Sequence, residues 1–304
     1  MLNQKVSHLY LVLVLLLVGC GDEGSKLDVT MGKPLLVNDT PTVSIIRKDE
    51  ISGYFSYCTG VLISSKHVLT AAHCSQSKLG KPYLPKERWV VAGDSFPNAQ
   101  SSQKLSVSEI AIHPDFDPEK MKTKKYKYIE TNNAADLAIW TLDRGISDVV
   151  PTKIAGKKVY QSLIKDSFPL IIMGFGKNSP WQIPTSQTPL IRAETYFKPI
   201  RTVASYRNII KNDLPVRKKF IEKIASHTHT EFFAGGSGLP DTCHGDSGGP
   251  AFLQDDQGQL VLIGSTSRGS YTCDGGGVYT FIAAFRKWIE ATCGDTELLW
   301  LSKN

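Results

Sequence analysis

The 304-residue chain has no cysteine pair at C-x-x-C spacing, which removes the usual signature of a structural zinc ribbon, and no metal is expected. It has no apolar run of the about 20 residues that span a bilayer as a helix; Leu9–Val18 falls well short. It has no basic stripe interleaved with aromatics, and a net charge of +6 is mild for its length, so nucleic-acid binding gains no support. Internal repeats and low-complexity stretches are missing too, and helical periodicity is scarce. What remains is ordinary globular composition, 41% hydrophobic and 21% charged, in a chain long enough for one large β domain or two small ones. No cofactor is implied, and a monomer is expected.

The N-terminus is a targeting segment and stays outside the fold argument. Lys5 supplies the positive start, and the apolar run LYLVLVLLLV ends in Leu17-Val18-Gly19-Cys20. That ending resembles the lipobox of bacterial lipoproteins. The resemblance implies a signal peptide over residues 1–19, cleavage before Cys20, and lipid on its thiol as a membrane anchor. An ordinary secretory signal cut nearby at small residues is the alternative. The lipobox is favoured because the cysteine follows directly on a small residue at the end of the run. Either way the chain is exported, held at a bacterial cell envelope or secreted after release. Residues 20–28 are small and polar and read as a tether or propeptide. Export permits disulfides among Cys58, Cys74, Cys243, Cys273 and Cys293, and their odd number leaves one outside any pair.

Beyond the tether, short β-like runs alternate with turn residues: Gly60–Ile63, Trp89–Ala92, Leu137–Trp140, Leu170–Met173, Leu260–Ile263 and Gly277–Thr280. Runs of this length bounded by Gly, Pro, Ser and Asp predict an all-β barrel or sandwich. Two segments depart from the pattern. Phe281, Phe285, Trp288 and Ile289 recur at helical spacing and predict a C-terminal helix packed by one face. Residues 205–226 are rich in Lys and Arg and read as a surface helix and loop.

Three segments carry chemistry: Leu69-Thr70-Ala71-Ala72-His73-Cys74, Asp136-Leu137-Ala138-Ile139-Trp140, and Asp241-Thr242-Cys243-His244-Gly245-Asp246-Ser247-Gly248-Gly249-Pro250. Singly, a His, an Asp or a Ser means little. Together and in this order they resemble the trypsin/chymotrypsin-like serine proteases, over nearly the whole chain from Val29 to Cys293. The resemblance implies two antiparallel Greek-key β-barrels with the active site between them and a C-terminal helix. The protease domain would cover residues 29–293, with 294–304 as a tail. It also implies a nucleophile in Ser247, a general base and acid in His73, and an orienting carboxylate in Asp136. A serine hydroxyl needs such a base at neutral pH, and imidazole suits the role because it titrates near that pH. Gly245 and Ser247 would point their N–H groups at the developing oxyanion. The same glycines satisfy the G-x-S-x-G elbow of α/β-hydrolases, but that fold places a histidine after the serine, and none follows Ser247. Disulfides Cys58–Cys74 and Cys243–Cys273 are implied as well, and Cys293 is left as a buried, inert thiol on the helix face.

In the family, the position of Asp241 is the base of the primary specificity pocket, where a carboxylate favours Lys or Arg before the scissile bond. Gly269 and Gly277 match pocket-wall positions that must stay small, and the Ser267 backbone matches the segment that pairs with extended substrate. Two departures stand out. Arg268 occupies a position where the family usually carries tryptophan, placing a positive charge near the cleft. The stretch Cys273-Asp274-Gly275-Gly276-Gly277 is short and glycine-rich. A loop with Lys120, Lys122, Lys124, Lys125 and Lys127 precedes Asp136 and reads first as a solvated charged loop, second as a lure for acidic substrates. Family members are activated when a new N-terminal amine pairs with the acid before the nucleophile, here Asp246. No Ile-Val-Gly-Gly start exists, so cleavage after Asp28 to expose Val29 is one option and another route the other. His227 and His229 read as surface residues, His67 and His113 as structural, and His244 as lining the cleft mouth. The partners expected are therefore protein or peptide substrates. A catalytically silent protease-fold protein acting as a surface binder is the alternative from another class. It is the weaker reading because the triad and the oxyanion glycine are all present.

Overall fold

The structure is a computed structural model, and it describes residues 33–34, 40–50, 53–92, 95–96, 104–121, 134–159, 168–177, 179, 188–198, 230–236, 239–255, 257–294 and 298–301. The segment through Cys20, the tether, Val29, Lys122, Lys124, Lys125, Lys127, the basic stretch 205–226, His227 and His229 lie outside the described residues. The first half of the chain forms strands β1 (Lys33–Pro34), β2 (Thr42–Asp49), β3 (Gly53–Leu62), β4 (His67–Thr70), β5 (Arg88–Ala92), β6 (Ser95–Phe96), β7 (Lys104–Ile112) and β8 (Ala138–Leu142). The second forms β9 (Lys153–Ile154), β10 (Phe168–Gly174), β11 (Thr188–Pro189), β12 (Ile191–Lys198), β13 (Glu231–Ala234), β14 (Pro250–Gln254), β15 (Leu260–Gly269) and β16 (Gly277–Phe281). A short helix α1 (Pro118–Met121) and a C-terminal helix α2 (Arg286–Cys293) complete the description.

Strands β2-β3-β4-β8-β7-β5 close into an antiparallel barrel. In the second half, β10 pairs β12 and β14, β14 pairs β15, β15 pairs β16, and β16 pairs β13. A two-residue pairing of β12 with β13, Phe197 with Ala234 and Lys198 with Phe233, brings this ladder back onto itself. Numbered in chain order, both rings run first-second-third-sixth-fifth-fourth, so one Greek-key topology is used twice by sequences with no visible repeat. The addition of β9 to β15 is parallel, as is the single bridge of Ile154 to Trp300, in an otherwise antiparallel plan among the described pairings.

Strand alternation sorts most of the core into three parts, with a small cluster of Ile46 and Val91 apart from them. Val43, Ile45, Leu62, Val68, Val90, Trp140 and Leu142 fill the first barrel. Leu170, Ile172, Ala193, Phe232, Ile263 and Phe281 fill the second. A third cluster lies between them and takes the opposite faces of the same strands: Leu69 and Ile139 from the first barrel, Ile171, Met173, Phe252 and Leu262 from the second, with Phe285 and Ile289. Strands β8, β10 and β15 are thus buried on both faces. That explains why Leu170–Met173 and Leu260–Ile263 read as unbroken apolar runs rather than alternating ones.

The C-terminal helix starts later than its apolar spacing suggests. Phe281 closes strand β16, paired with Gly264, and one 3-10 turn over Ile282–Phe285 leads into α2 at Arg286. Phe281 belongs to the second-barrel core, whereas Phe285 and Ile289 reach the interbarrel cluster. Residues 298–301, assigned to the tail from sequence, return to the body: the Ile154 N–H donates to Leu299 O at 2.8 Å and the Leu301 N–H to Ile154 O at 2.9 Å. Leu298 joins the interbarrel cluster, and the Trp300 ring receives the Arg286 guanidinium at 4.6 Å. Leu298→Ala therefore lowers the unfolding free energy by about 2–3 kcal/mol, read from the urea midpoint. An unchanged midpoint means the returning segment adds nothing to the folded body.

Candidate active site

The site is made where strand ends meet at the junction of the barrels. Thr70 pairs with Ala138 in the antiparallel contact of β4 and β8, so the chain leaving β4 runs beside the chain entering β8. His73 sits on the 3-10 turn Ala72–Ser75 just past β4, and Asp136 lies two residues before β8. Their meeting follows from the register. Asp136 is fully buried, and its carboxylate accepts three hydrogen bonds: from the His73 backbone N–H at 2.9 Å, from His73 Nδ1 at 2.8 Å, and from the Ser267 hydroxyl at 2.6 Å. An ionised carboxylate only accepts, so the ring proton of neutral His73 sits on Nδ1 and Nε2 is left as the basic nitrogen.

Electrostatics agree with that placement. Burial pushes the His73 imidazole down, but the charge and hydrogen bond of Asp136 outweigh it and hold its pKa above the usual 6.5, against a smaller downward pull from Arg268. Burial pushes Asp136 up. The His73 charge, the hydrogen bonds from His73 and Ser267, and the His73 backbone N–H together hold it below the ordinary carboxylate range.

Ser247 comes from the second barrel, in the loop before β14, and is locked to the first. The Thr59 N–H on β3 donates to Ser247 O at 2.8 Å, and Cys74 Sγ, next to His73, lies 3.6 Å from the same oxygen. The Thr59 hydroxyl donates to Gly245 O at 3.0 Å and accepts from the Phe175 N–H at 3.1 Å. Among the described residues, neither the Gly245 nor the Ser247 N–H finds an acceptor. Both neighbouring backbone positions demand glycine. Gly245 has φ +106°, and a Cβ there would stand 2.8 Å from Gly176 Cα; Gly248 has φ +81°, and a Cβ there would lie 2.4 Å from Thr59 O.

Asp246 is buried. Its Oδ1 accepts the Gly176 N–H and its Oδ2 the Cys243 N–H, each at 2.8 Å. Burial pushes its pKa up to about 6 while these two N–H groups pull it back. Asp241 is buried as well, accepting the Thr242 N–H at 2.7 Å and the Gly276 N–H at 2.5 Å. Burial raises its pKa to about 7, against those two hydrogen bonds and with smaller help from Asp274 and Asp246. Gly269 and Gly277 are cross-strand partners on β15 and β16, and a Cβ at Gly277 would come within 3.5 Å of Asp241 Oδ1. The two residues thus sit opposite each other beside the buried acid.

Both disulfides anticipated from the family are present, Cys58–Cys74 and Cys243–Cys273, and each ties a loop of the site to its own barrel. Cys58, Cys74 and His73 also form a cluster of potential metal ligands, but the two sulfurs are bonded to each other. Cys293 stands outside both bridges, half-buried against the interbarrel cluster. His67 caps a turn through Ser64, and His113 packs edge-on against Phe285 and Trp288. His244 is exposed and leans on Tyr271. Lys120 faces Asp117 at 3.9 Å on α1.

Three features escape the sequence reading. Ser267 contributes its hydroxyl to Asp136 and not only its backbone. Thr59 clamps the serine loop from the other barrel. Arg268, expected as a charge near the cleft, makes a bidentate pair with Glu231, both contacts at 3.0 Å, with the Glu231 side chain buried and that of Arg268 nearly so. The signal for that pair was faint: Glu231 heads the buried strand EFFA, but its partner lies 37 residues on, across β16.

A protein-family model described as Trypsin matches residues 38–289. Human kallikrein-2 is 28% identical over 246 residues, covering 78% of this chain and 80% of that protein. The renal glandular kallikrein of Mastomys natalensis is 29% identical over 246 residues, 77% of this chain and 79% of its own length. Human mannan-binding lectin serine protease 1 is 25% identical over 278 residues, which is 86% of this chain but only 35% of that larger protein.

Thr59→Val keeps the shape of the side chain but leaves the Phe175 N–H and Gly245 O without their partner. The variant loses about 1–3 kcal/mol of unfolding free energy, and Ser247 reacts more slowly with a fluorophosphonate probe. A parental urea midpoint and labelling rate would show that the clamp is idle.

Proposed function

Since the chain belongs to the trypsin family of serine proteases, we propose that it is an active serine endopeptidase that cleaves protein or peptide substrates after Lys or Arg. The observation that carries the reading is the buried Asp136 carboxylate holding His73 through Nδ1, while the Ser247 loop is fixed beside Cys74. In the proposed cycle the Ser247 hydroxyl attacks the scissile carbonyl as Nε2 of His73 takes its proton. The Gly245 and Ser247 N–H groups receive the oxyanion. The imidazolium, stabilised by Asp136, gives the proton to the leaving amine, and an acyl-enzyme remains. Water attacks by the same route in reverse and releases Ser247.

Asp241 is proposed to select the residue before the cut. Its carboxylate lies beside Gly277, the cross-strand partner of Gly269, so a long cationic side chain laid over the two glycines meets a buried anion. Export is proposed with Cys20 as the lipid attachment point, in keeping with disulfides that suit an oxidising compartment. Cleavage after Asp28 would free the Val29 amine as a partner for Asp246.

Peptides varied at the residue before the scissile bond test the proposal, with Ser247→Ala as control. Cleavage after Lys and Arg that vanishes in the control is the expected result. Probe-silent Ser247 with no cleavage favours a binding protein instead. Asp136→Asn should lower turnover by about ten-thousandfold, and Asp241→Ser should remove the basic preference while leaving cleavage.

The pH profile separates two groups. His73 acts as a base only when neutral, so kcat/KM rises with pH through a pKa above 6.5 for every substrate. Asp241 attracts a cation only when ionised, so basic substrates show a second rise near pH 7 that neutral ones lack. Identical profiles for the two substrate types rule out Asp241 as the discriminating group.

A further inference from the structure

We infer that Glu231 is a positioning residue. Through Arg268 and Ser267 on one side, and through the Ala134 peptide on the other, it fixes Asp136 and with it the orientation of the His73 ring. The inference rests on the proposed endopeptidase reading for its kinetic consequence, though not for its geometry.

Hydrogen-bond roles leave one assignment. Arg268 can only donate and the Asp136 carboxylate can only accept. Ser267 Oγ lies 3.1 Å from Arg268 Nη1 and 2.6 Å from Asp136 Oδ2, so its oxygen receives the guanidinium proton and its own proton points at Asp136. The guanidinium is held by both Glu231 oxygens. The chain of donors therefore runs from Arg268 to Ser267 to Asp136, anchored at its far end by Glu231. Each link polarises the next in a water-poor setting.

Backbone geometry makes this convergence possible. Neighbouring strand residues normally point to opposite faces, yet Ser267 and Arg268 touch. The register of β15 against β16 shifts between Thr266 and Arg268, and a bulge of this kind re-aims the side chains beside it. Glu231 reaches the same target by a second path. Its Oε1 also accepts the Ala134 N–H at 3.1 Å, two residues before Asp136. Between them Ala135 sits at φ +49°, a conformation that costs a non-glycine residue energy and persists only when its surroundings impose it.

Packing alone gives no reason to keep such a pair. A buried ion pair replaced by apolar side chains of similar volume is often as stable or more so. The charged groups facing His73 through this network are Asp136 from the β8 side, Arg268 from β15, and Glu231 from β13, which neutralises Arg268. Arg268 stays charged at any accessible pH. Neutralising Glu231 therefore leaves a bare cation beside Ser267 and Asp136, and the imidazolium of His73 is disfavoured.

The test titrates the His73 ring by proton NMR, assigned by its loss in His73→Ala, in the parent, in Glu231→Gln, and in the double variant Glu231→Met with Arg268→Met. Peptide kinetics are measured alongside. The expected results are a lower His73 pKa in Glu231→Gln and a pKa back toward the parent in the charge-free double variant. In both, kcat falls between about ten- and a hundredfold at essentially unchanged KM, as for a displaced catalytic group. A folded Glu231→Gln protein with parental His73 pKa and parental kcat overturns the inference. Should that variant not fold, the double variant decides: reduced kcat at constant KM supports positioning, and parental kcat overturns it. A parent that cleaves no peptide sinks the endopeptidase reading alone, and the direction of the His73 shift still decides the role of Glu231.

Discussion

Asp136 carries a charge where water cannot reach it. A carboxylate in that position costs several kcal/mol unless donors replace its hydration. Its donors are drawn from far apart in the chain: the backbone and ring of His73 arrive on the turn after β4, and the Ser267 hydroxyl arrives from the other barrel, 131 residues away. Satisfying this one anion therefore requires both barrels to be in register with each other. The Thr280 hydroxyl, which donates to the backbone oxygen of Asp136 at 3.0 Å, adds a further tie from the second barrel. Much of the remaining site geometry is the set of contacts needed to let these donors converge.

The apolar interior serves the same end. Strands β8, β10 and β15 bury one face inside a barrel and the other between the barrels, so the junction is as dry and close-packed as either core. A cleft lined by such walls keeps fixed dipoles strong. It also explains the upward shift of both Asp241 and Asp246, whose burial outweighs the backbone N–H groups that their carboxylates accept. Two acids, one two residues before Cys243 and the other two residues after His244, are thus held by peptide groups, in contrast to Asp136, whose donors include side chains.

Much of this could be read from residue order. The strand runs, the doubled barrel, the trio of His73, Asp136 and Ser247 segments, and both disulfide pairings were legible because each rests on a local pattern or on a motif shared with the family. The helix start was not, because Phe281 fits the helical spacing and is claimed by strand pairing with Gly264 instead. The partner of Arg268 escapes the sequence for a related reason. A bulge between Thr266 and Arg268 re-aims its side chain, and nothing near it in sequence announces Glu231, 37 residues away. Thr59 escaped because a threonine in a strand is ordinary; its importance comes from Gly245 and Phe175, which fold onto it from 186 and 116 residues away.

The two disulfides have a bearing on timing. Each closes within its own barrel, across 16 and 30 residues of sequence, so neither has to wait for the other half of the chain. A polypeptide delivered from its N-terminus can complete the first barrel and its crosslink while the second is still emerging. During that interval Asp136 lacks its Ser267 donor, and the Ser247 loop has not yet met Thr59. The candidate site is consequently completed late, only once β15 has brought the Ser267 hydroxyl to Asp136 and the Ser247 loop has met Thr59.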